Sequence, residues 1–329
     1  MTDTEAVSSS LPHPDRNLAL ELVRATEAAA IRASPFIGKG DKLAADGAAV
    51  DAMRMLLETV NFDGAVVIGE GEKDKAPMLF NGEHVGNGRG PACDIAVDPI
   101  DGTSLTAAGR PNSLSVIAVS DRGTMLDASS VFYMDKLVTG PEGIGVVDIR
   151  RPIGENIRAL AKAKNKDVSE IKVAVLDRPR HAQLIEEIRA VGAGTRLMLD
   201  GDVAGGINAA RYETRTDMCA GIGGSPEGIV TACAIKALGG FIQGVLKPGS
   251  DAERQKAMDA GLDIDKVYEA DELVSGDNTF FVATGVTDGG LVQGVRRKGP
   301  IIRTESIVLR SHSGTIRRII ADHLAKKWL

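Results

Sequence analysis

The feature that most restricts the fold is an apolar segment, Asp94–Asp98, that runs directly into the string Asp98-Pro-Ile-Asp-Gly-Thr103. Because proline has no backbone N–H to donate, Pro99 is expected to end a strand. Asp98 and Asp101 would then lie at and just beyond the strand end, where ligands bind in α/β sheets. A lone Asp-Pro or Asp-Gly usually marks only a turn, but the complete string directly after an apolar strand is far more specific.

More acids follow another short apolar segment, Ala65–Ile68, which is predicted to be a buried strand. Glu70, Glu72 and Asp74 come just after it. Taken alone, these acids could form a solvated loop. If they converge with the first group, they need a cation or strongly raised pKa values. An oxygen-only ligand set selects a hard ion, so the pattern predicts Mg²⁺ or Mn²⁺.

The spacing of apolar residues predicts an α/β protein. Residues 1–14 are expected to be a disordered tail, residues 15–150 an N-terminal α+β metal-binding subdomain, and residues 151–329 a C-terminal α/β substrate-binding subdomain with a partly parallel sheet. Strands Leu114–Val119 and Val131–Val138 are expected to continue the sheet of the first subdomain. The predicted elements after residue 150 are strands at Lys172–Leu176, Arg196–Leu199, Met218–Gly221, Asn278–Val286, Val292–Arg297 and Ile301–Arg310, and helices at His181–Val191, Pro226–Leu238 and Thr315–Leu324.

Composition excludes several classes of function. The net charge is −6 and no Lys/Arg block occurs, so nucleic acid binding has no electrostatic support. The three cysteines, Cys93, Cys219 and Cys233, are far apart, which favours a reducing cytoplasm over a disulfide framework or zinc site. No apolar run reaches the length of a membrane span, and the first 14 residues lack the apolar middle of a signal peptide.

The Asp98–Thr103 string resembles the metal motif of the inositol-monophosphatase and fructose-bisphosphatase superfamily. Taken with further segments, the chain from Asp15 to about Arg318 resembles the class II (GlpX-type) fructose-1,6-bisphosphatases of bacteria. This resemblance implies a layered α-β-α-β-α sandwich of the sugar-phosphatase type. The segments that carry it are Gly40–Lys42, Asp46–Met53, Val67–Leu79, Asp177–His181, Asp200–Ala204 and Gly221–Gly228.

The resemblance also implies roles for the acids. Asp46 and Glu70 would hold one metal. Asp98, Asp101 and Glu227 would hold a second, although many relatives carry Glu where this chain has Asp101. The residues implied in catalysis are Thr103, which would help to activate the attacking water, together with Glu72, Asp74 and Lys42.

The substrate positions carried over by the resemblance fall in five segments. Without it, Tyr133 would be assigned to the core, and Asp200 and Asp202 could be a simple turn with a helix cap. Paired cations in loops are often only solvated, but the position of Arg178 and Arg180 at the end of an apolar strand favours phosphate contact. The segments are Asp101-Gly102-Thr103, Tyr133, Arg178-Pro179-Arg180, Asp200-Gly201-Asp202 and Gly224.

The implied function is hydrolysis of the 1-phosphate of fructose 1,6-bisphosphate in gluconeogenesis, by a cytoplasmic homodimer or homotetramer. Two alternatives stay open. One is a related phosphatase acting on inositol monophosphate or sedoheptulose 1,7-bisphosphate, and the sedoheptulose activity could also accompany the fructose activity. The other is a metal-binding regulatory protein with a dead site, against which the joint presence of the acids, Thr103 and the arginines argues.

Overall fold

The structure is a computed structural model that describes residues 18–71 and 78–328. The predicted tail, residues 1–14, therefore lies outside the described residues. Within the described chain, two mixed sheets alternate with three layers of helices. No helix in these ranges is both long and apolar enough to cross a membrane.

The first sheet combines strands from the two ends of the described chain, in the order β12-β13-β11-β4-β3-β1-β2, with β14 also paired to β13. Only β1 and β3 are parallel neighbours, so their carboxyl ends meet at one edge. Its strands are β1 (Asp63–Ile68), β2 (His84–Val85), β3 (Ala92–Asp101), β4 (Leu114–Asp121), β11 (Phe280–Gly285), β12 (Arg296–Lys298), β13 (Ile301–Arg310) and β14 (Thr315–Leu324).

The second sheet is built from the middle of the chain, in the order β10-β9-β5-β8-β6-β7. Strand β6 runs parallel to both β7 and β8, whereas β5 is antiparallel to β8 and β9, which confirms the predicted partly parallel sheet. The strands are β5 (Tyr133–Thr139), β6 (Lys172–Leu176), β7 (Gly194–Met198), β8 (Met218–Gly224), β9 (Phe241–Lys247) and β10 (Tyr268–Glu269).

The helices complete the five layers. Helices α1 and α2 cover the outer face of the first sheet, α6 and α7 lie between the sheets, and α4 and α5 cover the outer face of the second. This order confirms the expected α-β-α-β-α sandwich. The helices are α1 (Ala19–Ala33), α2 (Lys42–Leu57), α3 (Thr103–Ala108), α4 (Ile153–Ala163), α5 (Ala182–Ala190), α6 (Val203–Ala210), α7 (Ser225–Leu238), α8 (Asp251–Asp259) and α9 (Ala270–Leu273).

Helix α7 explains how the two sheets are joined. It is apolar on nearly every side, with Ile229, Val230, Ala232 and Ile235 all buried, as expected for a helix enclosed between two layers. Its small residues let both sheets approach its backbone closely. The first turn of α7 is therefore fixed within the interior, which determines where the side chain of Glu227 can lie.

Four predictions of local structure are wrong, one of them because the strand expected at Val292–Arg297 spans only Arg296–Lys298. The segment Thr315–Leu324 is a strand, because Gly314, with a φ of 56°, closes a tight turn after β13 and ten residues then pair with β13. Its isoleucines fit a helical spacing equally well, and long-range pairing decides the outcome. The strand around Val131–Val138 belongs to the second sheet, between β8 and β9, rather than continuing the first.

Pro99 does not end β3, which continues to Asp101. Asp98 pairs with Val116 and Asp101 with Leu114, so two residues on β3 stand opposite one on β4. This bulge tolerates the missing N–H of proline, because the extra residue has no partner on β4.

Candidate active site

Carboxylates from β3 and from α7 meet at the carboxyl end of β3. Asp98 and Asp101 flank the bulge, and Asp98 accepts a hydrogen bond of 3.1 Å from the backbone N–H of Ile100. Glu227 reaches the same point from the first turn of α7. One oxygen of each of these three side chains lies within 4.8 Å of the others. The predicted trio is therefore assembled from segments up to 129 residues apart, which is the distance from Asp98 to Glu227 along the chain.

Asp101 is buried and Asp98 and Glu227 are half-buried, with too little positive charge beside them. Burial and then the charge of Asp101 raise the pKa of Asp98 well above its usual value. Burial, followed by the charges of Glu227 and Asp202, does the same to the pKa of Asp101. The pKa of Glu227 is also raised, chiefly by burial. Such a set is stable as carboxylates only with a cation among them.

The unpaired oxygens of the trio fit a metal ion. Asp101 Oδ2 and Glu227 Oε2 are buried and accept no hydrogen bond within the described part of the chain. A buried acceptor without a partner costs about 1–3 kcal/mol, so such atoms usually have a ligand. All the atoms of the trio that could ligate a metal are carboxylate oxygens, which suit Mg²⁺ or Mn²⁺.

A second pair of acids lies beside the trio. Burial and the nearby charge of Asp46 raise the pKa of Glu70 to about 7. The pKa of Asp46 is raised by burial, and both acids contribute to the shift at Asp98. Asp46 lies one turn into α2. The division of the five acids between two metals remains a prediction.

The structure describes two of the predicted catalytic residues, Thr103 and Lys42. Thr103 begins α3, and its hydroxyl donates to the Ile100 carbonyl over 3.1 Å. Lys42 Nζ donates to Ser104 Oγ over 2.7 Å, which ties the start of α2 to the first turn of α3. Glu72 and Asp74 lie outside the described residues.

The predicted substrate residues lie at the start of β5, just after β6 and in the loop after β7. Arg178 forms an ion pair with Asp200, at 2.9 Å. Arg180 donates to the Ile222 carbonyl, and its guanidinium lies 5.0 Å from the centre of the Tyr133 ring. The aromatic ring therefore helps to orient the cation.

Pro179 begins a short 3-10 turn that ends at His181. His181 is buried and hydrogen-bonded to the Leu176 carbonyl and to the Ile222 N–H, so its role is structural.

Two glycines allow the acids to approach. A Cβ on Gly201, whose φ is 64°, would lie 2.7 Å from Asp101 Oδ1. A Cβ on Gly224 would overlap Glu227 Oε2. Both positions thus exclude a side chain, because each backbone is in contact with a carboxylate of the trio. Gly102, with a φ of 85°, lets the chain turn from β3 into α3.

Sequence reasoning missed Lys136, which is almost fully buried. Its Nζ lies 2.6 Å from Asp202 Oδ2 and donates to the Gly224 carbonyl over 2.9 Å. Burial alone would lower the pKa of Lys136, but the charges of Asp202 and Glu227 outweigh burial and raise it. The alternation of β5 carried the signal, since Lys136 shares a face with the apolar Met134 and Val138.

Comparison with known proteins gives a consistent family assignment. Residues 16–323 match the family described as bacterial fructose-1,6-bisphosphatase, glpX-encoded. The chain belongs to this family. It is 45% identical over 323 residues to fructose-1,6-bisphosphatase 1 class 2 of Escherichia coli K12, covering 94% of this chain and 95% of that protein.

The same values hold for two further relatives. One is the fructose-1,6-bisphosphatase class 2 of Escherichia coli O6:H1, and the other is that of Shigella flexneri. In each case the alignment spans nearly the full length of both proteins. The resemblance suggested by the Asp98–Thr103 string and the flanking segments is thereby confirmed at the level of the family.

Proposed function

We propose that this protein hydrolyses the 1-phosphate of fructose 1,6-bisphosphate to give fructose 6-phosphate and phosphate, a reaction of gluconeogenesis. Membership of the fructose-1,6-bisphosphatase family and the names of its relatives support this function. The observation that carries it is the convergence of Asp98, Asp101 and Glu227 beside Thr103.

The residues present fit Mg²⁺ or Mn²⁺. Asp98, Asp101 and Glu227 would hold one ion, and Asp46 and Glu70 another. When bound, these ions supply positive charge against the oxygens of the reacting phosphoryl group. The carboxylates themselves would repel the substrate, so their charge must be neutralised before an anionic sugar phosphate can enter.

Thr103 would orient the water that attacks phosphorus. Its hydroxyl is held by the Ile100 carbonyl, so the oxygen retains lone pairs that can accept a hydrogen bond from the water. Glu72 or Asp74 would take the proton released during attack. Lys42, fixed on Ser104, would keep α3 and Thr103 in position.

The sugar and its distal phosphate would be bound by the second sheet. Arg178 and Arg180 provide planar guanidinium groups that suit phosphate oxygens. Asp200 and Asp202 would accept hydrogen bonds from sugar hydroxyls, with Tyr133, Pro179, Gly201, Gly102 and Gly224 shaping the walls. Since Arg178 pairs with Asp200, the substrate would have to compete with that ion pair.

Further properties are proposed alongside this activity. Sedoheptulose 1,7-bisphosphate presents similar phosphate ends, so it would be a side substrate. The protein would act in the cytoplasm, which agrees with three buried, unpaired cysteines. A homodimer or homotetramer follows from the resemblance. The sheets do not divide the chain near residue 150, since β11–β14 complete the first sheet and β5 lies in the second.

The test is phosphate release from fructose 1,6-bisphosphate, sedoheptulose 1,7-bisphosphate and inositol monophosphate, assayed side by side with Mg²⁺ or Mn²⁺. We expect the fructose substrate to give the highest kcat/KM. An Asp98→Asn variant controls for contaminating phosphatases. Preference for inositol monophosphate would replace the proposed substrate, and tight binding of sugar bisphosphates without phosphate release would indicate a binding protein.

A further inference from the structure

Two carboxylates of the trio, one from β3 and one from α7, are each backed by a glycine. Gly201 lies against Asp101, and Gly224 lies against Glu227. These glycines belong to separate segments, the loop after β7 and the end of β8. The distance between the two carboxylates therefore depends on what holds one loop against the other.

Lys136 connects those two loops. Its ammonium group donates to Asp202, next to Gly201, and to the carbonyl of Gly224 itself. A Cβ on Gly223 would lie 2.9 Å from Lys136 Nζ and would overlap Asp202 Oδ2, so the three groups are in close contact. The lysine stem passes the first turn of α7, with Cδ 3.3 Å from where a Cβ on Gly228 would lie.

We infer that Lys136 is a positioning residue that sets the spacing of Asp101 and Glu227, and through it the affinity of the trio for a divalent cation. It does so by joining the Asp200–Asp202 loop to the end of β8, without touching the cation. The inference rests on the proposed metal-dependent function, and it assigns a role to a residue of β5 on which no substrate or metal contact has been placed.

Position and charge predict opposite results for removal of the lysine. A positive charge near the trio repels a cation, so its loss by itself would strengthen metal binding. Loss of the connection would instead let the two loops separate and would weaken metal binding. Residues that orient metal ligands typically contribute about 10- to 100-fold in affinity.

The chain offers a matched control at the other end of α7. Lys236 is also nearly buried, with Nζ 2.5 Å from Asp271 Oδ1 and 2.9 Å from the Val274 carbonyl. Lys236, on α7, thus makes the same two kinds of contact as Lys136 on β5, but at the opposite end of α7 from Glu227. The match is not complete, because Asp271 is exposed whereas Asp202 is buried. The melting temperature of each variant is therefore measured, so that a general loss of stability can be separated from a specific loss of metal binding.

The experiment is calorimetric titration of Mn²⁺ into metal-stripped protein, for the parent, Lys136→Met and Lys236→Met, followed by kcat and KM for fructose 1,6-bisphosphate. We expect Lys136→Met to bind Mn²⁺ about 10- to 100-fold more weakly, and Lys236→Met to bind it as the parent does. Unchanged or tighter binding by Lys136→Met overturns the inference. Failure of the parent to bind Mn²⁺ would instead remove the proposed function.

Two further variants address the remaining explanations. If Lys136→Met does not fold, Lys136→Arg keeps the charge but changes the reach, so weaker Mn²⁺ binding supports positioning and unchanged binding contradicts it. In Lys136→Met/Asp202→Asn both charges are gone. We expect the double variant to remain as weak as Lys136→Met, whereas full recovery would show that the unpaired charge of Asp202, not the lost connection, caused the defect.

Discussion

Asp217 and the acids of the Asp98-Asp101-Glu227 trio are all buried or half-buried, but their partners differ. Asp217 lies 2.6 Å from Lys166 Nζ and 3.2 Å from Lys164 Nζ, and accepts a hydrogen bond from the Lys172 backbone N–H. Burial alone would raise the pKa of Asp217, but these hydrogen bonds outweigh burial and lower it. In the trio, burial and neighbouring carboxylates raise every pKa.

The contrast separates a structural acid from functional ones. Two lysines balance the charge of Asp217, and its hydrogen bond with the Lys172 N–H holds β6 in place. The trio lacks that charge and so is arranged at the expense of stability, as binding sites commonly are. Lys136 supplies a single cation at the edge of the trio, which is too little to balance it. Four changes test this contrast.

Thr103→Ala should give the largest effect. Loss of the hydroxyl that orients the attacking water should reduce kcat by about 10²- to 10⁴-fold, the usual range for positioned proton-transfer groups. Calorimetry should still detect Mn²⁺ binding, because Thr103 is not one of the predicted ligands. Turnover within a few-fold of the parent would remove Thr103 from the mechanism.

The stability of the metal-free protein should depend on pH, because the folded state raises the pKa values of the trio and its neighbouring acids. Glu70 has a pKa raised from 4.5 to about 7, so the metal-free fold binds more protons than the unfolded chain between these values. Stability should therefore fall by up to about 3 kcal/mol as pH rises through that window.

Denaturant unfolding of metal-stripped protein at pH 5 and pH 8 measures this fall. Saturating Mn²⁺ should reduce or reverse it, because a cation favours the ionised acids. Glu70→Gln should lose part of the dependence. A metal-free protein more stable at pH 8 than at pH 5 would contradict the assignment.

Asp217→Asn should affect the fold and leave the chemistry intact. It leaves two lysines without their acid, at a cost of about 1–3 kcal/mol in the free energy of unfolding. Mn²⁺ affinity and kcat should stay at parent values, since Asp217 touches none of the predicted site residues. A large loss of activity in folded Asp217→Asn would mean that the two regions are not separate.

Asp101→Asn should produce the smallest change in stability, and this change should be opposite in sign to that of Asp217→Asn. Removing one of several like charges should raise the stability of the metal-free protein by about 1 kcal/mol or less. The same variant should lose stabilisation by Mn²⁺. Thermal unfolding with and without Mn²⁺ measures both, and a clear loss of stability without metal would show that Asp101 is a structural acid like Asp217.

Much of this site was accessible from the sequence because its acids follow short apolar strands. Asp98, Asp101 and Glu70 could be placed at strand ends, and parallel pairing of β1 with β3 brings those ends together. The resemblance added Glu227, which no local pattern connects to β3. The alternation of strands and helices predicted an α/β protein, and the resemblance added the layered α-β-α-β-α order.

Long-range pairing determined what the sequence left undecided. Segment Thr315–Leu324 has isoleucines that suit a helix or a strand, and only the hairpin with β13 selects the strand. The sheet to which β5 belongs depends on β8 and β9, which lie more than 75 residues later in the chain. The role of Lys136 could not be assigned from its own strand, because its partners, Asp202 and Gly224, are equally remote.

The central claim is that the carboxylates around Asp98–Thr103 hold the cation required for release of phosphate from fructose 1,6-bisphosphate. The direct measurement titrates Mg²⁺ or Mn²⁺ into metal-stripped protein while phosphate release is followed, with Asp98→Asn as the site variant and Asp217→Asn as the buried-acid control. Activity should be absent in chelator and return with metal in the parent and in Asp217→Asn, but not in Asp98→Asn. Full activity in excess chelator, or normal metal activation of Asp98→Asn, would contradict the claim.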